Sequence, residues 1–432
     1  MTPRHVVADA AAGSLDPAGR LSGRPLLAVV TMASWGPAFP RIAHWLGTGL
    51  RQIDAVADVV YLDQRSRAFE ARPGSPPTSV GGLRPDPGPR SSPTPGRPEG
   101  AGPGRVHEIE LGARRARTAL PALVAYLRDR RPALTVATPG AIGALAIAAG
   151  ALAHCTVLPW EQTLPAMDRA DVPRYLRRTA RLSDALYGRA PRVVAVSEGV
   201  RESLVARLAP RTGPERVVVV PNPLDADEIR RLANPAAPRS GRFRICSIGR
   251  LVSAKGFDVL IEAVAMAGLG TEWELLVVGD GPLRPDLERL VAARDLTGRI
   301  HLLGRLDNPY PVLASADVAV QASRWEGFGI AVLEALALGV PLIATSCPGG
   351  VSEIVDGGRN AVLVPPDDAP ALARALRALA EDRQLRHRLS IDGPLRASTY
   401  APAEVAGRMV DLAAALSGTP MGAGWPVRSG SP

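Results

Sequence analysis

The chain contains 432 residues, 46% hydrophobic and 22% charged, so it can bury substantial cores, and its length predicts two domains rather than one. Its formal net charge of +9 would suit a nucleic-acid partner, but aromatic residues for base stacking reach only 4% and no nucleic-acid-binding motif is present, which argues against one. The three cysteines lie far apart without metal-ligand spacing, which argues against zinc and disulfides and predicts a cytoplasmic location.

After a charged N-terminal segment, strands and helices are predicted to alternate. Residues 1–24 have no apolar core of the kind that a secretion signal needs, so we expect a disordered leader. Buried-strand, amphipathic-helix and buried-strand patterns follow at 26–32, 41–52 and 56–62. Regularity stops between Ala71 and Arg105, where ten prolines and eight glycines predict a disordered insertion.

Order is predicted to resume beyond the insertion. The further elements of this half are helices at 118–131, 175–188 and 197–208 and strands at 134–137, 156–159, 192–196 and 217–220. Residues 139–160 carry no charge, but Ala and Gly dominate them, so a buried helix followed by a buried strand is favoured over a membrane span. We assign residues 25–216 to an N-terminal Rossmann-like domain and residues 217–241 to an interdomain connection.

A cluster of arginines within residues 174–192 forms the densest basic patch, and only Asp184 opposes it. The cluster consists of Arg174, Arg177, Arg178, Arg181, Arg189 and Arg192. A solvated helix face is the simpler interpretation, because partly basic helices are common on soluble proteins. The alternative is peripheral contact with anionic head groups or a lipid phosphate at the inner face of a membrane.

The second half alternates more regularly. Strands are predicted at 243–248, 273–278, 300–303, 317–321, 341–345 and 361–364, with helices between them. Such alternation predicts a parallel sheet covered on both faces, with ligands at the carboxyl ends of its strands. We assign residues 242–398 to a second Rossmann-like domain that faces the first across a cleft, 399–417 to a helix packed on the body, and 418–432 to a disordered tail.

The first candidate loop follows the strand at 243–248 and carries two cations, Arg250 and Lys255. Lys255 is the only lysine among 51 Lys and Arg residues, which indicates a task that a guanidinium performs poorly. A compact ammonium on a flexible stem suits a phosphate oxygen in a tight space. The two cations therefore predict a diphosphate site.

The strongest candidate loop follows the strand at 317–321. Gly327 and Gly329 open a helix there, so free backbone N–H groups and the positive end of the helix dipole face a cleft and predict an anion. Glu334 lies roughly 7 to 8 Å further along the helix axis, where its carboxylate would fit two hydroxyls of a ribose. A weaker loop, Gly279-Asp280-Gly281, lets a ligand approach the backbone but lacks the dinucleotide-binding pattern.

These loops resemble those of the family 4 retaining glycosyltransferases, which have the two-domain GT-B fold and use nucleotide-diphosphate sugars. The resemblance implies that Arg250 and Lys255 bind the diphosphate, and that Glu326 and Glu334 form a Glu-x7-Glu signature at the donor sugar and the ribose. It also implies that backbone amides of the glycine loop hold sugar hydroxyls and phosphate, and that two residues contact the base region. The loop residues are Gly327, Phe328, Gly329 and Ile330, and the base-region residues are Gly281 and Leu306.

The first half matches the family less well. Ser34-Trp35-Gly36-Pro37 stands where members often show a double glycine, and Trp160-Glu161-Gln162 where they often carry a histidine. Gly36 and Glu161 are therefore the candidates on the acceptor side, although a surface carboxylate is an equal interpretation of Glu161. These departures from the family pattern affect the prediction of the acceptor site and not that of the donor site.

The resemblance further implies retention at the anomeric carbon, with Glu326, Arg250 and Lys255 as catalytic residues and no metal or other cofactor. Asp225-Ala226-Asp227 spells a metal-binding DxD, but it follows a proline break, where Asp is a usual helix cap. The expected donor is a UDP-, GDP- or ADP-sugar, and the acceptor is a glycan, a lipid-linked or a small molecule. The alternatives are a nucleotide-sugar epimerase of similar architecture and a non-catalytic protein that binds anions or nucleic acid.

Overall fold

A computed structural model of the chain describes residues 26–32, 38–63, 105–113, 118–138, 140–164, 183–209 and 211–417. Several predictions lie outside these residues, namely the leader, Gly36, residues 71–104 of the insertion, the tail, and four arginines of the basic patch: Arg174, Arg177, Arg178 and Arg181. Within the described residues, no helix is long and apolar enough to cross a membrane.

The first domain is built on a parallel sheet of seven strands in the order β3-β2-β1-β4-β5-β6-β7. The strands are β1 Leu26–Thr31, β2 Val56–Tyr61, β3 Arg105–Glu110, β4 Leu134–Ala137, β5 Val157–Glu161, β6 Val193–Ala195 and β7 Val217–Val219. Helices are α1 Ala38–Gln52, α2 Leu120–Arg130, α3 Gly140–Ala153 and α4 Glu198–Leu208. Strands β1, β2, β4, β5 and β6 are buried throughout, as expected for a parallel sheet covered on both faces.

Two predicted boundaries are wrong because the residues pair in this sheet. Strand β3 was not predicted, and its first residue, Arg105, pairs with Val56 instead of ending the insertion. Strand β7 pairs with β6, so residues 217–219 belong to the first domain and not to the interdomain connection. Both strands lie at the edges of the sheet that the structure describes, and β3 is rich in charged residues, so its sequence lacks the apolar run of a buried strand.

The uncharged stretch at 139–160 forms α3 followed by β5, which confirms the buried helix and strand. Its glycines let the helix lie directly on the sheet. A Cβ atom on Gly150 would lie 2.4 Å from Val157 Cγ2, and one on Gly143 would lie 2.8 Å from Pro159 Cβ. Small residues in this segment therefore serve close packing inside the protein.

The second domain has a parallel sheet of six strands in the order β10-β9-β8-β11-β12-β13. The strands are β8 Phe243–Ile248, β9 Trp273–Val278, β10 Ile300–Gly304, β11 Val318–Gln321, β12 Leu342–Thr345 and β13 Val362–Val364. Helix α5 Ala226–Leu232 precedes it, and its helices are α6 Phe257–Met266, α7 Arg284–Ala293, α8 Tyr310–Ala314, α9 Ile330–Ala337, α10 Val351–Ile354, α11 Ala369–Glu381 and α12 Arg383–Ser398. The predicted architecture of two α/β domains is confirmed.

The chain then returns to the first domain through helix α13, Pro402–Ser417. Its residues Val405 and Met409 are fully buried in one apolar cluster with Leu46 and Leu50 of α1. The two helices approach closely, because a Cβ atom on Gly49 would lie 2.0 Å from the Pro402 carbonyl oxygen. Residues from both ends of the described chain therefore share one core.

Candidate functional site

A cavity of about 1090 Å³ lies between the two domains at the carboxyl ends of their strands. Every second-domain residue that the sequence analysis selected lines it. These residues are Arg250, Lys255, Gly281, Leu306, Glu326, Gly327, Phe328, Gly329, Ile330 and Glu334. The three strand-end loops that looked separate in the sequence therefore form one site.

Lys255 links two of these loops. It lies in a short 3-10 turn, Ser253–Lys255, that follows β8, and its ammonium lies 2.5 Å from Glu326 Oε1. The turn ends at Gly256, whose φ is +61° and where a Cβ atom would lie 2.0 Å from the Ala322 carbonyl oxygen, so only glycine fits. Arg250 is exposed, and within the described residues its side chain makes no hydrogen bond or ion pair, so its guanidinium is available to a ligand.

Glu326 is fixed by its own loop. Its Oε1 atom accepts hydrogen bonds from Ser323 Oγ at 2.7 Å and from Gln321 Nε2 at 2.8 Å, in addition to the Lys255 ammonium. Only 8% of the residue is exposed. A carboxylate with three donors on one oxygen has a defined orientation, and it can face a developing positive charge without moving.

The glycine loop turns the chain into α9 as the sequence predicts. Gly329 caps the helix with φ of +105°, a conformation that L side chains rarely adopt. The first N–H groups of a helix have no intrahelical acceptor, and those at the start of α9 line the cavity together with Lys255. An anion in the cavity would therefore meet both the ammonium and the positive end of the helix.

Glu334 lies one turn into α9 and is only 2% exposed. Its Oε1 atom accepts a hydrogen bond from the Tyr310 hydroxyl at 2.9 Å and lies 3.3 Å from a guanidinium nitrogen of Arg41. Burial raises the pKa of Glu334, and the Arg41 charge and the Tyr310 hydrogen bond oppose that rise. Arg41 comes from α1 of the first domain. Sequence reasoning missed it because no motif surrounds it.

On the first-domain side, Gln162 lines the cavity and its neighbour Glu161 does not. Glu161 is 5% exposed and accepts hydrogen bonds from Thr163 Oγ1 at 3.0 Å and Tyr187 at 3.4 Å, so the interpretation as a surface carboxylate is wrong. Gln162 instead accepts a hydrogen bond from Asn222 Nδ2 at 2.8 Å, and both amides border the cavity. The side chains of a strand alternate in direction, so a shift of one residue exchanges a buried for a cavity-facing position.

The Asp225-Ala226-Asp227 sequence lies at the start of α5, and none of its three residues lines the cavity. Asp225 caps the helix, because its side chain accepts a hydrogen bond from the Glu228 backbone N–H at 2.9 Å. Asp227 pairs with Arg230 at 3.0 Å. These contacts match the helix-cap interpretation of the motif.

The two domains also meet directly beside the glycine loop. Ser197 Oγ donates a hydrogen bond to the Gly327 carbonyl oxygen at 2.8 Å, and the Glu353 carboxylate accepts one from the Glu198 backbone N–H at 2.6 Å. The backbones touch, since a Cβ atom on Gly199 would lie 2.8 Å from Gly349 Cα. We call these contacts the interdomain clasp. It joins the start of α4 to the loop that carries Glu326.

Two family models match the chain. The model described as glycosyl transferases group 1 matches residues 229–396, and the model described as glycosyltransferase family 4 matches residues 84–228. Among curated proteins, the chain is 34% identical over 158 residues to an alpha-D-kanosaminyltransferase of Streptomyces kanamyceticus. The matched segment covers 36% of this chain and 41% of that protein.

A second relative is the N-acetylgalactosamine-N,N'-diacetylbacillosaminyl-diphospho-undecaprenol 4-alpha-N-acetylgalactosaminyltransferase of Campylobacter jejuni, 28% identical over 225 residues, or 52% of this chain and 60% of that protein. The matches span about half the length of these curated relatives. Among solved structures, HepE of Anabaena in complex with UDP is 17% identical, with a TM-score of 0.64 over 91% of this chain and 100% of that one, which shows a shared fold. Because the two family models adjoin and together match residues 84–396, the chain belongs to glycosyltransferase family 4 and has the GT-B fold.

Proposed function

We propose that the protein transfers a sugar from a nucleotide-diphosphate sugar to an acceptor hydroxyl, with retention at the anomeric carbon and without a metal ion. The observation that carries the proposal is the meeting of Lys255, Arg250 and the start of α9 in one cavity with two oriented carboxylates. The related HepE has been solved with UDP and with UDP-glucose, which supports a nucleotide-sugar donor. UDP-, GDP- and ADP-sugars are the candidates.

The leaving diphosphate gains negative charge in the transition state. Lys255, Arg250 and the N-terminus of α9 are positive groups already directed at the cavity, so they can stabilise that charge with little reorganisation. Glu326 would face the positive charge that develops at the anomeric carbon. The acceptor would attack that carbon from the side of the leaving group. Closure of the cavity by both domains would exclude water, the competing acceptor.

The acceptor is the less defined partner in this proposal. The name of the Campylobacter relative includes a diphospho-undecaprenol-linked sugar, which supports a lipid-linked acceptor for this chain as well. A glycan or a small molecule would present the same reacting group, a hydroxyl. We further propose a cytoplasmic reaction that approaches the inner face of a membrane when the acceptor is lipid-linked.

A donor screen tests this function. Purified protein should be stabilised against thermal unfolding by one of the UDP-, GDP- or ADP-sugars, since a ligand that binds only the folded state raises the melting temperature. Slow hydrolysis of the same donor, unaffected by EDTA, should release a sugar whose initial anomer, read by NMR, matches that of the donor. Inversion, or a requirement for a divalent ion, would contradict the mechanism, and release of an epimerised sugar would identify an epimerase instead.

The interdomain clasp gives a further prediction. Glu353→Ala should lower kcat about tenfold, because the glycine loop and Glu326 lose part of the contact that aligns them with the first domain. Glu353 does not line the cavity, so the Kd for the nucleoside diphosphate should change less than about twofold. Steady-state kinetics and calorimetry measure the two quantities.

The matched control for this variant is Glu288→Ala, which removes an exposed glutamate of α7 that pairs with Arg284 one turn away. It should leave both kcat and Kd unchanged. If Glu353→Ala keeps the wild-type kcat, or if it weakens nucleotide binding as much as it slows turnover, the clasp does not act through domain alignment.

A further inference from the structure

Helix α1 extends two side chains, one turn apart, from the first domain to the second. Trp45 Nε1 donates a hydrogen bond to Glu228 Oε2 at 2.6 Å. Arg41 donates to the Tyr310 hydroxyl and lies 3.3 Å from Glu334 Oε1. Its guanidinium carbon lies 5.8 Å from the centre of the Trp45 ring and 5.6 Å from that of Tyr310, so two aromatic rings hold it in place.

Glu334 is placed so that it needs this cation. An ionised carboxylate that is almost fully buried is costly unless it is paired, and within the described residues Arg41 is the one cation at ion-pairing distance. Both contacts of Glu334 fall on Oε1, and the residue borders the cavity. Within the described residues, the second carboxylate oxygen accepts no side-chain hydrogen bond, so it can accept one from a ligand.

We propose that Arg41 is a positioning residue for nucleotide recognition: from the opposite domain it holds the Glu334 carboxylate ionised and oriented, so that this carboxylate can accept the hydroxyls of a ribose. The inference rests on the proposed function, in which Glu334 accepts the hydroxyls of the donor ribose. It adds that a residue outside the nucleotide-binding domain sets the affinity for the nucleotide.

The charges around Glu334 give the direction of the pH effect. Burial raises the pKa of Glu334, whereas the Arg41 charge and the Tyr310 hydrogen bond lower it. Burial also raises the pKa of Tyr310, which keeps its hydroxyl a donor at neutral pH. Three other charged groups on the helices packed around α9 make contacts of their own: Glu228 accepts a hydrogen bond from Trp45, Arg230 donates one to the Ala337 carbonyl oxygen, and Arg396 donates to the backbone oxygens of Glu353 and Ile354.

Protonation removes an acceptor from Glu334, so nucleotide affinity should fall as the pH drops through its pKa. Without Arg41 that pKa rises further, and the fall should begin at a higher pH. In the wild type the paired carboxylate stays ionised to a lower pH. Removal of Arg41 should therefore move the pH at which nucleotide affinity falls to a higher value.

The test compares the full-length wild type with Arg41→Gln and, as the variant that keeps a positive charge, Arg41→Lys. Calorimetry with UDP, GDP and ADP identifies the nucleotide that the wild type binds best. For that nucleotide, Arg41→Gln should weaken binding about tenfold at about pH 6 and clearly less at about pH 8, because one unit of pKa is a tenfold change in protonation. Arg41→Lys should restore most of the affinity at the lower pH.

Inorganic pyrophosphate, which has no ribose, separates positioning from direct contact. Arg41→Gln should bind it as the wild type does, which also demonstrates a folded site. A wild-type nucleotide affinity in Arg41→Gln at both pH values would overturn the inference, and so would an equal loss for pyrophosphate, since Arg41 would then be a phosphate ligand. A wild type that binds no nucleotide would remove the proposed function together with the inference, whereas the first two results remove the inference alone.

Discussion

The Lys255→Ala variant should lose about 10²–10³-fold in the rate of transfer, because one preorganised positive group at a leaving anion is worth about that much. This loss of transfer rate should exceed the loss caused by substitution of an ordinary surface residue, since Lys255 is the chain's only lysine and lines the cavity together with the start of α9. Its side chain is 23% exposed and, within the described residues, pairs with Glu326, which keeps its hydrogen bonds from Ser323 and Gln321, so the melting temperature should fall only slightly. Steady-state kinetics and thermal unfolding measure the two effects.

Two further variants serve as controls for the Lys255→Ala prediction. Lys255→Arg keeps the charge but replaces a compact ammonium with a planar fork, so it should recover only part of the rate. Arg359→Ala removes a cation of the same domain whose side chain is 78% exposed and pairs with Asp356, and it should be neutral. A transfer rate near that of the wild type in Lys255→Ala would refute the diphosphate assignment.

The Glu334→Ala variant should bind the nucleoside diphosphate about 30-fold more weakly, which corresponds to the loss of charge-assisted hydrogen bonds to a ribose. Binding of inorganic pyrophosphate should change little, because the change lies away from the two cations. Calorimetry with both ligands gives the comparison. Because the carboxylate is buried and paired, the Ala variant should also unfold at a lower temperature.

Glu334→Gln keeps the shape of the side chain and serves as the variant with the smaller folding cost. Glu326→Gln is the matched control, since it changes the other carboxylate of the pair and should slow transfer while leaving nucleoside diphosphate affinity nearly unchanged. Equal affinities of wild type and both Glu334 variants for every nucleotide would show that α9 holds no ribose.

Much of the second domain could be predicted because the local hydrophobic pattern of each segment indicates the same strand or helix that the fold contains. The strands at 243–248 and 273–278 were predicted with the bounds that the structure has, and the strand at 317–321 was predicted within one residue. Each is a short apolar run that ends in glycine or polar residues, the pattern of a strand buried on both faces. The loops that follow such strands lie at the same edge of the sheet. The residues chosen from these loops in the sequence therefore line a single cavity.

The parts that were missed depend on tertiary contacts. Strand β3, Arg105–Glu110, is rich in charged residues and lies at an edge, so nothing in its sequence separates it from the Pro/Gly-rich residues before it. Arg41 looks like one more arginine of an amphipathic helix until the second domain brings Glu334 to it. The sequence analysis selected Glu161 on the acceptor side, but its neighbour Gln162 lines the cavity, because the sequence leaves the side-chain direction at a strand end open by one residue.

Helix α13 has a consequence for how the protein is made. Val405 and Met409 lie in the same apolar cluster as Leu46 and Leu50, so the core of the domain that leaves the ribosome first is completed by residues translated some 350 positions later. Until then the newly made α1 exposes an apolar surface to solvent. Translation that stops before residue 402 should therefore yield a first domain that aggregates or is held by chaperones, even though all seven of its strands have been synthesised.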